Sequence, residues 1–555
     1  MNSINKLLLL IFIISATTLP ENIFAQRNSS NSYYIRFSDK TNSPFSVDKP
    51  LEFLSQRAID RREMKNISIT EQDFPVNPWY LDSLQSKGAK ILFTTRWLNA
   101  ATIKVDTYLI IKEIEKLPFV LNSEKVYKLR KDNTEIHSAE SNLSATSNDY
   151  SFYGASFRQI EMLNGHKLHE KGVNAEGVVI AVIDAGFYDV DSMEAFKYLH
   201  EHNRILATHD FVTGDSSVYE DHSHGMMVLS AMGGRLWGKL VGTAPEASFI
   251  LLRSENVYSE YMIEEDAWVA AAEFADSAGA DIINTSLGYS VFDDSAMCHN
   301  YSDMDGNSTR ISIAANIATT KGVFVVSSAG NEGASTWKYI TSPADGNKVL
   351  AVGAVDEFEQ IVPFSSRGPS SDGEVKPNVS AMGYRTAVAS LHDGFVAFVN
   401  GTSLSGPVVT GLVACLIGAF PEKSNYEIKD IIEKSSHLYA TPNDSFGYGI
   451  PDFEMAYAML KLKENKNAED LKLLELYPNP FLNDILITFY SKQDNEISIS
   501  IFDNLGRFMY LKEIETNANS VEKINISGKY FTQNGIYHLQ ITDGKNIINK
   551  MILKM

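Results

Sequence analysis

A serine lies where a glycine-containing turn runs into an apolar, helix-forming stretch. Residues 400–407 read Asn-Gly-Thr-Ser-Leu-Ser-Gly-Pro, and the apolar residues 408–420 follow them. Ser403 would therefore be held by the first turn of a buried helix, whose N-terminal amides point toward whatever reacts there. We expect Pro407 in the first turn of this helix, where an amide hydrogen would have no intrahelical partner. The arrangement suits a nucleophile, although an isolated Gly-Thr-Ser more often marks a helix N-cap.

An aspartate and two histidines precede this serine. Residues 177–183 read Gly-Val-Val-Ile-Ala-Val-Ile, which predicts a buried parallel strand with Asp184 at its carboxyl end. That position suits either a catalytic carboxylate or a ribose-binding acid. The absence of a Gly-x-Gly-x-x-Gly turn before it argues against nucleotide binding. His222 and His224 both precede a further apolar helix, and either imidazole could be a general base or an ordinary surface residue.

These blocks resemble those of the subtilisin-like serine proteases, whose catalytic residues occur in the order Asp, His, Ser. Five further segments agree in sequence and order: Gly-Thr-Ala-Pro-Glu-Ala at 242–247, Ile-Asn-Thr-Ser-Leu-Gly at 283–288, Ser-Ala-Gly-Asn-Glu-Gly at 328–333, Phe-Ser-Ser-Arg-Gly-Pro at 364–369 and Lys-Pro-Asn-Val at 376–379. The resemblance implies that Ser403 is the nucleophile, His224 the general base and Asp184 the carboxylate that orients it. It also implies that Asn331 donates its side-chain amide to the oxyanion.

The same resemblance assigns a substrate-binding strand and a specificity pocket. Ser286, Leu287 and Gly288 match the segment that pairs with extended substrate, and Ala329 and Gly330 leave room beside it for a large side chain. The chain departs from the usual motifs where it has His-Gly-Met-Met at 224–227 and Thr-Ser-Leu-Ser at 402–405. Because no triad residue is replaced, we expect these changes to affect packing, and so the rate, rather than the reaction.

Composition and charge favour a secreted enzyme. The chain has 555 residues, 44% of them hydrophobic, and a net charge of −20 that argues against nucleic acid as a partner. A lysine, the apolar run 7–16 and the sequence Ile-Phe-Ala at 23–25 predict a secretory signal peptide over residues 1–25. Cys298 and Cys415 are the only cysteines, so no disulfide framework is expected.

Two folded units are expected before the C-terminal part. Residues 26–131 carry strand and helix patterns, and the polar stretch 132–149 would be a cleavable linker. Residues 150–462 alternate buried strands with helices, which predicts an α/β fold: a subtilisin-like parallel sheet with helices on both faces. By resemblance, the unit before it is a small α+β pro-domain that assists folding and blocks the cleft. An adhesive or purely structural domain is the alternative.

A third unit is expected after a charged linker at 463–473. Residues 474–555 contain alternating strand patterns at 485–490, 497–502, 536–542 and 547–553, which predict a small all-β sandwich. The segments Leu-Tyr-Pro-Asn-Pro at 476–480 and Asp-Asn-Leu-Gly-Arg at 503–507 resemble the C-terminal sorting domain of proteins exported by the bacterial type IX secretion system. A carbohydrate-binding or adhesive module is the alternative.

The sequence therefore predicts a serine endopeptidase made as a zymogen and sent through the periplasm to the cell surface or the medium. Its partners would be protein or peptide substrates, its own pro-region as inhibitor and the type IX machinery. No cofactor or metal is expected in the site; Asp303, Asp305 and Asn307 could hold a structural calcium ion, although a polar turn is favoured because the spacing differs from an EF-hand. One rival is a catalytically inactive surface-binding protein that keeps the fold. The other is an α/β-hydrolase esterase, disfavoured because the motif lacks the second glycine of Gly-x-Ser-x-Gly.

Overall fold

The structure is a computed structural model that describes residues 31–128, 152–464, 470–531 and 533–555. The signal peptide predicted at 1–25 and the linker predicted at 132–149 lie outside the described residues. Within them, the predicted order is confirmed: a small α+β unit, an α/β unit with a parallel sheet, and an all-β unit.

The N-terminal unit is an antiparallel sheet in the strand order β2-β3-β1-β4, with helices against one face. Its elements are β1 (Asn31–Phe37), α1 (Gln56–Met64), α2 (Pro78–Ser86), β2 (Lys90–Thr95), β3 (Ala100–Val105), α3 (Tyr108–Ile114) and β4 (Val120–Lys128). Alternate residues of β1, among them Ile35 and Phe37, are buried in one core with Tyr80 of α2 and Ile111 of α3. Helix α1 begins at Gln56 because Ser55 caps it by accepting the Ala58 amide hydrogen.

The central unit is built on a seven-stranded parallel sheet in the order β13-β12-β11-β10-β5-β9-β6. Its strands are β5 (Val179–Asp184), β6 (Ile205–Asp210), β7 (Arg235–Leu236), β8 (Leu240–Val241), β9 (Ser248–Arg253), β10 (Ile282–Thr285), β11 (Phe324–Ser328), β12 (Leu350–Val355), β13 (Val379–Met382), β14 (Thr386–Ala389) and β15 (Val396–Val399). The last two form a separate antiparallel hairpin, as do β7 and β8.

Helices cover both faces of this sheet. They are α4 (Phe157–Glu161), α5 (Gly165–Glu170), α6 (Lys197–Glu201), α7 (His224–Gly233), α8 (Ile263–Ala278), α9 (Arg310–Thr320), α10 (Thr402–Ala419), α11 (Asn425–Lys434) and α12 (Phe453–Glu464). Within β5, Ile180 and Val182 pack in the core that contains α7 and α10, whereas Ala181 and Ile183 pack in the core that contains α8 and α9. A strand buried on both faces explains why its sequence is continuously apolar rather than alternating.

Helix α10 is the one helix in the described part of the chain that is long and apolar enough to cross a membrane. Its most apolar window is 89% buried inside the protein. Cys415 lies buried in this helix, and both cysteines are free thiols. Its apolar sequence therefore matches its place in the core of the central unit.

The N-terminal unit packs on α8 and α9 of the central unit. Trp97 is buried in the same core as Trp268 of α8, and Arg310 of α9 forms an ion pair with Glu124 of β4. At the far end of α8, the fully buried Asp276 binds three arginines of the N-terminal unit: Arg61, Arg62 and Arg96. This interface therefore combines apolar burial with a buried ionic network.

The C-terminal unit is a sandwich of two antiparallel sheets, β16-β17-β20 and β19-β18-β21-β22. The strands are β16 (Leu471–Tyr477), β17 (Asp484–Ser491), β18 (Asn495–Asp503), β19 (Phe508–Thr516), β20 (Ser520–Ser527), β21 (Gly535–Thr542) and β22 (Ile547–Lys554). Strand β16 begins inside the linker predicted at 463–473. Val521 of β20 packs in the core of the central unit, and Lys523 forms an ion pair with Asp452, so the sandwich contacts that unit.

Candidate active site

The residues singled out by the sequence meet at one edge of the parallel sheet. Asp184 is the last residue of β5, and Asn331 follows β11. His224 begins α7, and Ser403 is the second residue of α10. Because parallel strands all end at the same edge, the connections that follow them converge there. The fold thus brings side chains from distant parts of the chain to one cleft.

A short hydrogen bond joins Asp184 to His224. The imidazole Nδ1 lies 2.7 Å from Asp184 Oδ1, and the carboxylate is fully buried while 26% of the His224 side chain is exposed. The Ala185 amide also donates to Oδ1, at 2.8 Å. Burial disfavours the imidazolium, but the Asp184 carboxylate outweighs this and raises the pKa of His224. The geometry fixes the ring so that Nδ1 faces the acid and Nε2 faces away from it.

Close packing of α7 against the loop after β5 sets this distance. A Cβ atom on Gly225 would lie 2.4 Å from the Gly186 carbonyl oxygen and 3.0 Å from Asp184 Cβ, so a larger residue would push the two elements apart. Behind the imidazole, Met226 and Met227 are buried in the core. The unusual methionines of this motif are therefore accommodated by packing, as flexible thioether side chains allow.

His222 has a different place. Its Nδ1 accepts the His224 backbone amide hydrogen at 3.2 Å, which satisfies one of the free donors at the start of α7. Burial lowers the pKa of His222, and the neighbouring His224 lowers it further. His222 therefore binds a helix terminus, whereas His224 binds the buried carboxylate.

Ser403 lies at the floor of the cleft and is 8% exposed. Its Oγ donates to the Ser286 carbonyl oxygen at 3.3 Å, and the Ser286 hydroxyl donates to the Ser403 carbonyl oxygen at 2.9 Å. Within the described residues no hydrogen bond joins Ser403 Oγ to His224. Catalytic hydrogen bonds are often long or absent before substrate binds, so this contact does not exclude a reaction between the two side chains.

Thr402 orients the side chain of Asn331. The Asn331 Oδ1 accepts the Thr402 backbone amide at 2.9 Å and the Thr402 hydroxyl at 3.1 Å. The Thr402 hydroxyl oxygen in turn accepts the Gly330 amide at 3.2 Å. Since the carbonyl end of the Asn331 amide is occupied by these two donors, its NH₂ group is left as a donor beside Ser403.

The residues assigned to substrate binding also come together. The bond between Ser286 and Ser403 places β10 and the segment after it against the start of α10. A Cβ on Gly288 would lie 2.2 Å from Thr341 Oγ1, and a Cβ on Gly330 would lie 3.0 Å from the same atom. The backbone of Thr341 also donates to the Ala329 carbonyl. Leu287 is buried next to Gly288. Gly288 and Gly330 therefore both pack closely against the Thr341 hydroxyl.

Two supporting residues were not found from the sequence. One is Thr402, and the other is Arg253, which lies 3% exposed at the end of β9. Arg253 donates to the Ala185 carbonyl and forms ion pairs with Asp210 and Asp221, so it holds the loop that follows Asp184. The sequence could have indicated Arg253, because an arginine at the end of an apolar strand is expected to be buried. A buried guanidinium requires several hydrogen-bond acceptors nearby.

The predicted calcium ligands are engaged in local hydrogen bonds. Asp305 accepts the Asn307 and Ser308 amides, and Asp303 accepts the Asn300 amide. These contacts are typical of a polar turn. In the part of the chain that the structure describes, the group with metal-ligand spacing lies elsewhere, at Glu255, Glu260 and Glu264.

Three family models match the chain. Residues 175–449 match the Subtilase family model, and residues 32–171 match the model for the Peptidase S8 propeptide domain, Bacteroidota. Residues 475–554 match the Secretion system C-terminal sorting domain. The chain belongs to the subtilase family.

Relatives of this subtilase include curated bacterial proteases. It is 28% identical over 374 residues to Subtilisin E of Bacillus subtilis (strain 168), covering 66% of this chain and 82% of the relative. It is 31% identical over 281 residues to the Thermophilic serine proteinase of Bacillus sp. (strain AK1), covering 50% and 60% of the two chains. The crystal structure of MycP1 with its N-terminal propeptide removed is 24% identical, with a TM-score of 0.43, and covers 54% of this chain and 96% of MycP1.

This subtilase is a serine endopeptidase made as a zymogen. The N-terminal α+β unit is its pro-region, which inhibits the enzyme. The C-terminal sandwich is a type IX sorting domain, so the enzyme passes through the periplasm and is secreted or displayed at the cell surface.

Proposed function

We propose that Ser403, His224 and Asp184 form the catalytic triad of this endopeptidase. We also propose that Asn331 and the Ser403 backbone amide form its oxyanion hole. The observation that carries the proposal is the 2.7 Å hydrogen bond between the fully buried Asp184 and His224 Nδ1, at the edge of the sheet where Ser403 starts α10. This bond leaves the second ring nitrogen of His224 free to accept a proton.

Acylation begins when Ser403 Oγ attacks the scissile carbonyl carbon. The hydroxyl first leaves the Ser286 carbonyl and gives its proton to His224 Nε2. Asp184 keeps the imidazole in the required tautomer and stabilises the imidazolium, in keeping with the raised pKa of His224. The Asn331 NH₂ and the Ser403 amide donate to the oxyanion, and His224 then returns the proton to the leaving amine.

Deacylation repeats these steps with water. His224 takes a proton from a water molecule that attacks the acyl carbon, and the collapse of the second tetrahedral intermediate restores the Ser403 hydroxyl. All groups in this scheme are protein side chains and amides, so we propose that the reaction uses no cofactor. A structural calcium ion at Asp303, Asp305 and Asn307 stays the less favoured alternative to a polar turn.

Substrate would bind as an extended strand along Ser286, Leu287 and Gly288. We propose that its side chain next to the scissile bond enters the space bordered by Gly288, Ala329 and Gly330. Thr341 Oγ1 is buried there without a hydrogen-bond partner in the described part of the chain, which supports a polar contact at the base of this pocket. Main-chain pairing of this kind selects unfolded or loop segments of proteins.

A fluorophosphonate probe tests the nucleophile directly. An activated serine Oγ displaces fluoride from the probe and remains covalently bound to phosphorus. We expect labelling of the mature enzyme to map to the peptide that contains Ser403, and to disappear in His224→Ala. Labelling at another serine would refute the assignment of Ser403. No labelling of a folded protein would favour the inactive surface-binding alternative.

We expect Asn331→Ala to lower kcat by a factor on the order of 10²–10³ because one oxyanion donor is lost. Asn331→Asp should show a similar or larger loss, since it retains the acceptor for Thr402 but has no NH₂ group. Steady-state kinetics on one peptide will measure both, with Thr402→Ser as a control that keeps the orienting hydroxyl. Near-normal kcat in Asn331→Asp would show that Asn331 only supports the turn.

A further inference from the structure

Three glutamates lie close together on the segment after β9 and at the start of α8. Carboxylate oxygens of Glu255, Glu260 and Glu264 all lie within 4.8 Å of one another; we call these residues the acidic cluster. In the described part of the chain, none of the three forms an ion pair with a lysine or arginine. Burial, followed by the charge of a neighbouring carboxylate, raises the pKa of Glu255 to about 7 and that of Glu260 to about 9. Carboxylates this close repel one another when they are ionised, so a bound cation is needed to stabilise all three as anions.

The acidic cluster is adjacent to the proposed triad. Glu255 follows Ser254, whose backbone amide donates to the Asp184 carbonyl oxygen at 3.1 Å. The charges of Asp184 and His224 both act on the pKa of Glu255. A ligand held by the cluster would therefore lie in the substrate cleft, next to the catalytic histidine.

Two buried hydroxyls near the cluster lack partners. Tyr289 is 1% exposed and Ser254 is fully buried, and neither side-chain oxygen has a hydrogen-bond partner in the described residues. Burial, followed by the charges of Glu255, Glu264 and Glu260, raises the pKa of Tyr289, and Ser254 lines the same cavity as Glu264. Such hydroxyls can accept hydrogen bonds, so the surroundings of the cluster contain several unused acceptors.

Lysine residues of the pro-region lie next to the acidic cluster. Tyr127, near the end of β4, packs edge-on against Tyr261 at 4.9 Å between ring centroids. A cavity of about 460 Å³ next to this contact is lined by Ser254 and Glu264 on one side and by Lys90 and Lys104 of the pro-region on the other. In the sequence, Lys-Leu-Arg-Lys at 128–131 follows Tyr127 directly. The last described part of the pro-region therefore lies beside the cavity that Glu264 lines, and the residues that follow it in the sequence are strongly basic.

We propose that the acidic cluster is a subsite that binds a lysine or arginine side chain of the peptide substrate, on the N-terminal side of the scissile bond. This inference rests on the proposed function. The side follows from chain order, because the basic residues 128–131 precede the predicted cleavage linker at 132–149. The basic run 128–131 would be its first occupant during self-processing, and basic segments of other proteins would occupy it afterwards.

A peptide cation fits the cluster better than a divalent metal ion does. Glu264 uses one carboxylate oxygen to accept the Tyr261 amide at 3.0 Å and the other to accept the Asn256 amide at 3.3 Å. Calcium requires six to eight oxygen ligands, and these amides occupy lone pairs that it would need. An ammonium or guanidinium group supplies three to five N–H donors, which match the remaining carboxylate oxygens and the two free hydroxyls.

The test compares peptides that differ at one residue. Mature enzyme is assayed on peptides that carry lysine or the uncharged norleucine at each of the second to fifth positions before the scissile bond. At one position at least, we expect lysine to raise kcat/KM by about 10-fold or more, chiefly through KM. Glu260→Gln should bring the ratio of kcat/KM for lysine and norleucine peptides close to one. Glu264→Gln is a second variant, and Glu422→Gln, beyond the opposite end of α10, is the matched control for loss of one negative charge.

Each outcome decides the proposal. Equal kcat/KM for lysine and norleucine peptides at every position, or a preference that survives in Glu260→Gln, overturns the subsite. If Ca²⁺ raises the Tm of the wild-type enzyme but not of Glu260→Gln, and no lysine preference is found, the cluster is a metal site instead. If no peptide is cleaved, the proposed function fails, but fluorescence anisotropy of labelled lysine and norleucine peptides on Ser403→Ala still measures the subsite separately.

Discussion

Ser403→Ala should lower kcat for peptide hydrolysis by roughly 10⁶-fold while the protein stays folded, and His224→Ala should lower it by a similar factor. The losses are equal because the hydroxyl is a poor nucleophile without its base, and the base has no function without the hydroxyl. Steady-state kinetics on a peptide substrate will measure both variants. Circular dichroism and Tm will show whether each is folded.

His222→Ala is the control for this prediction. His222 accepts the His224 amide hydrogen, so its removal costs a helix cap, worth about 0.5–2 kcal/mol of stability, and leaves the Asp184–His224 bond in place. We expect a lower Tm and kcat within about 10-fold of the wild-type value. If His222→Ala is inactive and His224→Ala is not, the general base has been assigned to the wrong histidine.

Asp276→Asn should weaken inhibition of the mature enzyme by its pro-region by about 10²–10³-fold. Asp276 is the shared partner of Arg61, Arg62 and Arg96, and all four side chains are buried in the interface. Removing one member of a buried ionic network costs about 3–5 kcal/mol, because the remaining charges stay buried without a partner. The inhibition constant of added pro-region, measured against peptide hydrolysis, gives the effect directly. Peptide hydrolysis without the pro-region should be unchanged, since Asp276 lies near the end of α8 and outside the proposed catalytic residues.

Asp281→Asn is the matched control at the same interface. Asp281 pairs with Arg57, whose side chain is 41% exposed, and exposed ion pairs contribute at most about 1 kcal/mol. We expect inhibition to weaken only a few-fold. Equal effects of the two substitutions would mean that apolar packing around Trp97, rather than the buried network, holds the pro-region in place.

The strands at the centre of the sheet could be predicted because burial on both faces makes their sequences continuously apolar. The strand predicted at 177–183 corresponds to β5 (Val179–Asp184), which begins two residues later and ends one residue later. Strand β6 (Ile205–Asp210) was missed because it lies at the edge of the sheet and includes polar and partly exposed residues. Similarly, β19 (Phe508–Thr516) reads as a charged segment, because three of its residues, Leu511 to Glu513, are consecutively exposed at the edge of its sheet.

The identities of the site residues could be proposed from motifs, but their contacts could not. The sequence left His222 and His224 as competing candidates, and only folding shows which ring meets Asp184. The orientation of Asn331 depends on Thr402, a residue that is distant in the chain until β11 and α10 pack together. The acidic cluster was also not predicted, because Glu255, Glu260 and Glu264 have no recognisable motif spacing and converge only where the segment after β9 folds back on α8.

The hydrogen bond from Ser403 to the Ser286 carbonyl implies that the enzyme at rest is less reactive than the enzyme with substrate bound. A substrate strand paired with Ser286 would donate its own amide to that carbonyl and compete with the serine hydroxyl for it. The displaced Ser403 hydroxyl would then turn toward His224. Binding of the peptide backbone would therefore form the hydrogen bond that activates the serine. Small electrophiles that do not pair with Ser286 cannot displace the Ser403 hydroxyl from its carbonyl oxygen. They should therefore react with Ser403 more slowly than peptide-based electrophiles do. The Ser286 carbonyl oxygen, which accepts from either the serine hydroxyl or the substrate amide, would thus make the protease selective for peptides while it crosses the periplasm.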